Sequence, residues 1–228
     1  MIIGLLGNQN SGKTTLFNQL TGSNQRVGNF PGVTVERKMS SVRKHDDVDV
    51  VDLPGIYSLA PYSNDEIVTR EFLTEGSADV LINIIDVTNI SRGLYLTMQL
   101  LELETPMVIA LNMMDEFRKT GGHVHPEQIS LMLGIPVVPL SAARGEGVSE
   151  LVRVAIETGR SKQISKISDI CSGPVHRTAH AIGFFLEDHA RRAHLPQRYV
   201  ALRLIDGDED FAQKLGLSEN ELDTIEHM

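Results

Sequence analysis

Apolar residues recur along the chain in two rhythms. Unbroken runs at Ile2-Ile3-Gly4-Leu5-Leu6, Val80 to Val87 and Met107 to Leu111 read as strands buried on both faces, with a shorter strand over Pro136 to Leu140. Between them the spacing turns helical. Leu16, Phe17 and Leu20 share one helical face, as do Ile67, Val68 and Phe72 within Asn64 to Leu73; Gly93 to Glu104, Pro126 to Leu133 and Val148 to Glu157 are predicted helices. Thr34 to Val42 reads as a strand that turns at His45-Asp46-Asp47 and returns through Val48, Val50 and Val51, a hairpin. Thr21 to Val33, polar and rich in glycine, reads as a mobile loop. Strands alternating with helices predict an α/β fold: a doubly wound, mostly parallel sheet with helices on both faces and ligand loops at the C-terminal ends of its strands.

The rhythm changes after Gly159. Lys162 to Gly173 is polar and irregular, whereas Val175 to Ala193, Gln197 to Ile205 and Asp208 to Leu215 are helical, and Ser218 with Glu221 three residues later makes a capping box that opens another helix. The predicted division is a nucleotide-type domain over 1–160, a linker over 161–173 and a small all-α domain over 174–228. The helical pattern reaches His227-Met228 without a stop signal, so the polypeptide is expected to continue.

Composition narrows the function classes. A formal charge of −9 over 228 residues disfavours a large phosphate-backbone footprint, so nucleic acid is not an expected partner. The single cysteine, Cys171, leaves no internal disulfide and no cysteine-rich zinc site. No apolar run approaches the roughly 18 residues that cross a bilayer, and a cytoplasmic setting is expected.

The chemistry lies at the strand ends. Gly7-Asn8-Gln9-Asn10-Ser11-Gly12-Lys13-Thr14 has the spacing Gly-x-x-x-x-Gly-Lys-Ser/Thr and falls between a strand and a helix, the setting of a phosphate cradle. Backbone N–H groups and the helix N-terminus face the anion; Lys13 reaches the β- and γ-phosphates, the Thr14 hydroxyl is a Mg²⁺ ligand, and Thr15 helps hold the α-phosphate. Asp52-Leu53-Pro54-Gly55 follows a strand, where Asp52 holds Mg²⁺ through water and the Gly55 N–H meets the γ-phosphate. Asn112-Met113-Met114-Asp115 ends the next apolar strand but one. Its Asp115 carboxylate accepts from the N1–H and 2-amino groups of guanine, donors that adenine lacks, and Asn112 ties this loop to the phosphate loop. Ser141-Ala142-Ala143 offers a backbone N–H to the guanine 6-oxo group. Four motifs in this order imply a guanine-nucleotide-binding domain.

These motifs, together with the loop Val27-Gly28-Asn29-Phe30-Pro31-Gly32-Val33-Thr34-Val35-Glu36-Arg37-Lys38 and the corner Val51 to Leu59, resemble the cytoplasmic N-terminal region of the bacterial ferrous-iron transport protein FeoB family. The likeness covers about residues 1–145; the helical tail agrees in kind and length. It implies a domain that hydrolyses GTP to regulate Fe²⁺ uptake through a membrane channel region of the same polypeptide, at the cytoplasmic face of the inner membrane. It also implies that Gly32, Val33 and Thr34 contact nucleotide, that Thr34 closes over Mg²⁺, and that K⁺ is held beside the phosphates by Asn10 with the carbonyls of Gly28 and Phe30. Gln9 stands where the family commonly has proline, and Phe30 where it commonly has tryptophan. The residue after Asp-x-x-Gly is Ile56, which cannot orient water as the glutamine of small GTPases does. Asn10, Lys13, Thr34 and Gly55 are thus the candidate catalytic set.

Two other readings stay open: a nucleotide-gated binding module whose turnover is incidental, and a soluble GTPase of ribosome or tRNA metabolism. Homo-oligomerisation is a further open question. His176 and His180 lie one helical step apart without an acidic partner at ligand spacing, and read as surface or packing residues.

Overall fold

The computed structural model describes residues 1–22, 26–31, 34–60, 62–165 and 173–228. The chain divides into two compact units, Met1–Lys166 and Ile167–Met228.

The first unit is built on a seven-stranded sheet in the order β2-β3-β4-β1-β5-β6-β7. Its strands are β1 (Ile2–Gly7), β2 (Arg26–Asn29), β3 (Glu36–Val42), β4 (His45–Asp52), β5 (Val80–Asp86), β6 (Met107–Asn112) and β7 (Val137–Pro139). From β4 to β7 neighbouring strands are parallel, and β2 and β3 complete the sheet antiparallel. Helices α1 (Lys13–Leu20) and α6 (Val148–Ser161) cover one face, where Leu16, Phe17, Leu20, Leu151 and Ala155 close a buried core over Ile3, Leu5, Val50, Ile82 and Val108. The opposite face receives α2 (Asn64–Thr74) and α3 (Ile90–Leu101). Packing there is tight: a Cβ at Gly93 of α3 would lie 2.5 Å from Ile85 Cγ2 on β5. Two short helices, α4 (Met114–Lys119) and α5 (Pro126–Leu133), lie between β6 and β7. The fold class expected from the alternation is the one observed. Because β1 pairs with β4 on one side and β5 on the other, its C-terminal end is the place where the connections diverge and a ligand crevice opens.

Several local expectations change. The stretch expected as a loop over Thr21 to Val33 contains β2, whose four residues are all exposed; its ladder to β3 rests on backbone bonds, so no apolar alternation announces it. The hairpin turns at Arg43-Lys44 instead of His45-Asp46-Asp47. Lys44 takes a left-handed φ of 65°, as a tight two-residue connection requires, and frees His45 to start β4. Helix α3 starts at Ile90, three residues before the expected Gly93, behind a 3₁₀ turn whose Thr88 N–H donates to Asp86 Oδ1 (2.8 Å). The short α4 was not expected at all.

Among the described residues the second unit is entirely helical: α7 (Pro174–Phe185), α8 (Glu187–Ala193), α9 (Gln197–Ile205), α10 (Glu209–Leu215) and α11 (Glu219–Glu226). The run expected as one helix from Val175 to Ala193 breaks at the fully buried Leu186. Glu187 and Asp188 follow at once, acids that suit a new helix N-terminus. The Ser218–Glu221 capping box is present on α11, and Asp208 caps α10.

Candidate nucleotide site

The chain leaves β1 at Gly7, against which β5 passes so closely that a Cβ would lie 2.4 Å from the Ile84 carbonyl oxygen. Ser11 N–H then donates to the Asn8 carbonyl (3.2 Å), and left-handed conformations at Asn10 (φ 64°) and Gly12 (φ 89°) curl the loop. Such changes of hand turn successive N–H groups toward one point. Helix α1 begins directly after, with no acidic residue in its first turn and no side-chain cap, so its positive end has no internal counter-charge there. Thr14 and Thr15 are exposed on that turn.

Lys13 Nζ forms an ion pair with Asp52 Oδ1 at the end of β4, and both side chains are largely buried. The parallel register that sets Leu5 opposite Asp52 brings the two motifs together. The corner is pinned further by Leu53 N–H donating to the Leu5 carbonyl (2.9 Å) and Ile56 N–H donating to the Gly7 carbonyl (3.2 Å). Gly55 packs on Gln9.

On the base side, Asn112 is the central tie. Its Nδ2 donates to the Ser11 carbonyl (2.8 Å) and its Oδ1 accepts from Ala142 N–H (2.9 Å), joining the phosphate loop to the loop after β7. Gly12 makes this possible, since a Cβ there would stand 2.3 Å from Asn112 Nδ2. Met113 takes a left-handed φ of 65° and opens α4, which carries Asp115. Ser141 Oγ donates to Asp115 Oδ1 (2.7 Å), and Arg144 Nε lies 3.4 Å from Oδ2. The Ser141 hydrogen bond is the foremost cause that holds the Asp115 carboxyl below its ordinary pKa; burial opposes it, and a backbone hydrogen bond with the charges of Arg144 and Lys119 keeps the net shift downward. Asp115 is therefore a fixed, ionised acceptor at neutral pH.

The three expected backbone donors separate. Ser141 N–H donates to the Glu146 carbonyl (3.0 Å) and Ala142 N–H to Asn112, so within this stretch Ala143 keeps the uncommitted N–H among the described residues. Ser141 acts instead through its hydroxyl. Arg144 went unnoticed in the sequence because only the tight bridge between Ser141 and Glu146 folds it back toward Asp115.

The remaining candidates stand apart. Gly32 and Val33 lie outside the described residues, as does Cys171. Thr34 is exposed. Gly28 sits on exposed β2 opposite Arg37. Phe30 is buried, its ring edge-on to Phe72 at 6.2 Å and its N–H donating to the Val35 carbonyl (2.9 Å). Among the described residues no hydrogen bond joins Thr34, Gly28 or Phe30 to the phosphate loop. The His176 and His180 rings stack edge-on at 4.5 Å, and no group of three or more metal-ligating side chains occurs among the described residues. No helix of the described residues is long and apolar enough to cross a membrane.

Comparison with known proteins places this geometry in a family. A family model described as ferrous iron transport protein B matches residues 1–155. The Fe(2+) transporter FeoB of Salmonella choleraesuis is 43% identical over 230 residues, covering 98% of this chain and 29% of the relative. A Porphyromonas gingivalis protein named as a fusion of Fe(2+) transport protein A and Fe(2+) transporter FeoB is 40% identical over 94% of this chain and 26% of its own length. The chain thus spans less than a third of the length of these relatives. Among solved structures, an S. thermophilus NFeoB mutant bound to GDP superposes with a TM-score of 0.92 at 40% identity, covering 100% of this chain and 86% of that one. The cytosolic domain of T. maritima FeoB in apo form gives 0.86 at 36% identity over 99% and 91%. The match of sequence over the nucleotide unit and of fold over the whole chain establishes that this chain belongs to the ferrous iron transport protein B family and has its N-terminal P-loop GTPase fold.

Proposed function

We propose that this chain binds GTP and hydrolyses it to GDP and phosphate, and that as the cytoplasmic part of a longer polypeptide it regulates Fe²⁺ uptake through a membrane channel region. The observation that carries the nucleotide assignment is the prebuilt base pocket, in which Asn112 ties the phosphate loop to the loop after β7 while Ser141 and Arg144 hold an ionised Asp115. A carboxylate fixed in this way pairs with the two adjacent donors of guanine and is left unpaired by adenine.

In turnover, the phosphate-loop N–H groups and Lys13 hold the β- and γ-phosphates, and the Gly55 N–H meets the γ-phosphate. The oxygen donors Thr14, Thr34 and Asp52 suit Mg²⁺; the largely buried Asp52 carboxylate already faces a cation, the Lys13 ammonium. Bound there, Mg²⁺ neutralises charge on the β- and γ-phosphate oxygens. Asn10 with the Gly28 and Phe30 carbonyls would hold K⁺. In support, the exposed Asn10 side chain forms no hydrogen bond among the described residues, so the turn does not consume it.

The test is GTP hydrolysis in Mg²⁺, in KCl and in NaCl of equal ionic strength, with ATP as control. GTP turnover stimulated by K⁺ with ATP untouched is expected. ATP turnover at a comparable rate would refute the base assignment, and equal rates in the two salts would remove K⁺.

A further inference from the structure

The position that orients the hydrolytic water in small GTPases carries no polar side chain in this chain. Ile56, which follows Asp-x-x-Gly, is 1% exposed and spends its N–H on the Gly7 carbonyl. Facing the same corner from the phosphate loop is Gln9, an exposed residue. A Cβ built on Gly55 would stand 3.1 Å from Gln9 Cγ and 3.4 Å from its Cα and N, so Gln9 occupies the space over the residue whose N–H meets the γ-phosphate. Tyr57 Oη donates to Gln9 Oε1 (3.4 Å), and the Arg92 guanidinium lies over the Tyr57 ring, 4.0 Å from its centroid. An exposed glutamine is ordinarily free about its torsions; this one is braced by a glycine surface, a phenol and a cation behind the phenol.

A carboxamide has an oxygen with two lone pairs and an NH₂ with two donors. Tyr57 engages one lone pair. The other lone pair and the NH₂ make no hydrogen bond among the described residues. An acceptor for a water proton and a donor for a γ-phosphate oxygen, on one rigid group, are what orienting a nucleophilic water demands.

We propose that the Gln9 carboxamide positions the attacking water, with Tyr57 and Arg92 acting through it as positioning residues. The proposal rests on the GTPase reading above. In the step, a water lone pair forms a bond to the γ-phosphorus and the bond from that phosphorus to the β,γ-bridging oxygen breaks, its electron pair leaving on GDP. One water proton passes to a γ-phosphate oxygen and the other stays on the attacking oxygen, giving inorganic phosphate.

The experiment measures single-turnover GTP hydrolysis and fluorescent-nucleotide affinity in the whole chain and in Gln9→Met, Gln9→Asn and Tyr57→Phe. Gln9→Met keeps the length of the side chain and removes its amide; it is expected to slow hydrolysis about 10²-fold with affinity unchanged. Gln9→Asn should recover part of that loss, and Tyr57→Phe should show a smaller one. Hydrolysis by Gln9→Met at the unsubstituted rate or faster overturns the proposal, as does a loss of affinity as large as the loss of rate. Absence of turnover in the unsubstituted chain would instead bring down the GTPase reading itself, which separates the two failures.

Discussion

The two sides of the candidate site are built differently. The base side is a network of hydrogen-bonded groups: the buried Asn112 bonds two loops at once, and the half-buried Asp115 is held by the buried Ser141 and by the exposed Arg144. The segment carrying Gly28, Phe30 and Thr34 is anchored to β3 and to Phe72, and no hydrogen bond among the described residues ties it to the phosphate loop. On the proposed reading, discrimination between bases is preorganised, whereas the catalytic arrangement would form around the γ-phosphate, as in other nucleotide switches. Asp115→Asn is the most direct way to break the base side. It should weaken GTP and GDP on the order of 10³-fold, because an amide NH₂ then faces the guanine donors. The same variant should gain affinity for xanthine nucleotides, whose 2-oxo group accepts from that NH₂; a fluorescent-nucleotide titration reads both changes.

Asn112→Ala probes the rigidity. The substitution strands the Ser11 carbonyl and the Ala142 N–H at a residue only 3% exposed. Two buried groups without partners cost about 3 kcal/mol together. For a unit of this size that is a fall in melting temperature of roughly 6–12 °C, measurable by calorimetry and accompanied by weaker nucleotide binding. Asn10→Ala acts on the other side. With no internal hydrogen bond to lose among the described residues, it should leave melting and nucleotide affinity intact while removing any K⁺ stimulation of turnover. A large loss of stability in Asn10→Ala would erase the contrast between the two sides.

What the sequence could convey follows the same division. Strands β1, β5 and β6 are buried runs, and their ends carry motifs whose order identifies the ligand class without coordinates. Asn112 was expected to tie its loop to the phosphate loop, and it does so at Ser11, whereas the direct ion pair of Lys13 with Asp52 is a finding of the structure. The roles of Ser141 and Arg144 were not legible, since they depend on which N–H groups the turn between Ser141 and Glu146 consumes internally. Strand β2 was invisible for a different reason: an exposed edge ladder leaves no hydrophobic trace. The brace on Gln9 likewise arises from the meeting of two loops far apart in sequence.

Ser141→Ala is the finest probe of the base side. It keeps Ser141 N–H in its bond to Glu146 and removes only the hydroxyl that donates to Asp115. One hydrogen bond to a charged acceptor, partly replaced by water, predicts a loss of guanine-nucleotide affinity of about threefold at neutral pH. The pH dependence is more telling. The hydroxyl is the foremost cause of the lowered Asp115 pKa. A carboxyl whose folded pKa is depressed contributes stability that is present above its ordinary value of 3.8 and lost as pH falls through the folded value. Nucleotide binding in the unsubstituted chain should therefore persist to pH values below that ordinary midpoint, and in Ser141→Ala the acid limb should move upward toward it. Carboxyl ¹³C chemical shifts of Asp115 across that range would follow the titration directly. An unmoved midpoint would assign the depression to the backbone hydrogen bond of Asp115 and the charges of Arg144 and Lys119, and remove the Ser141 hydroxyl as its foremost cause.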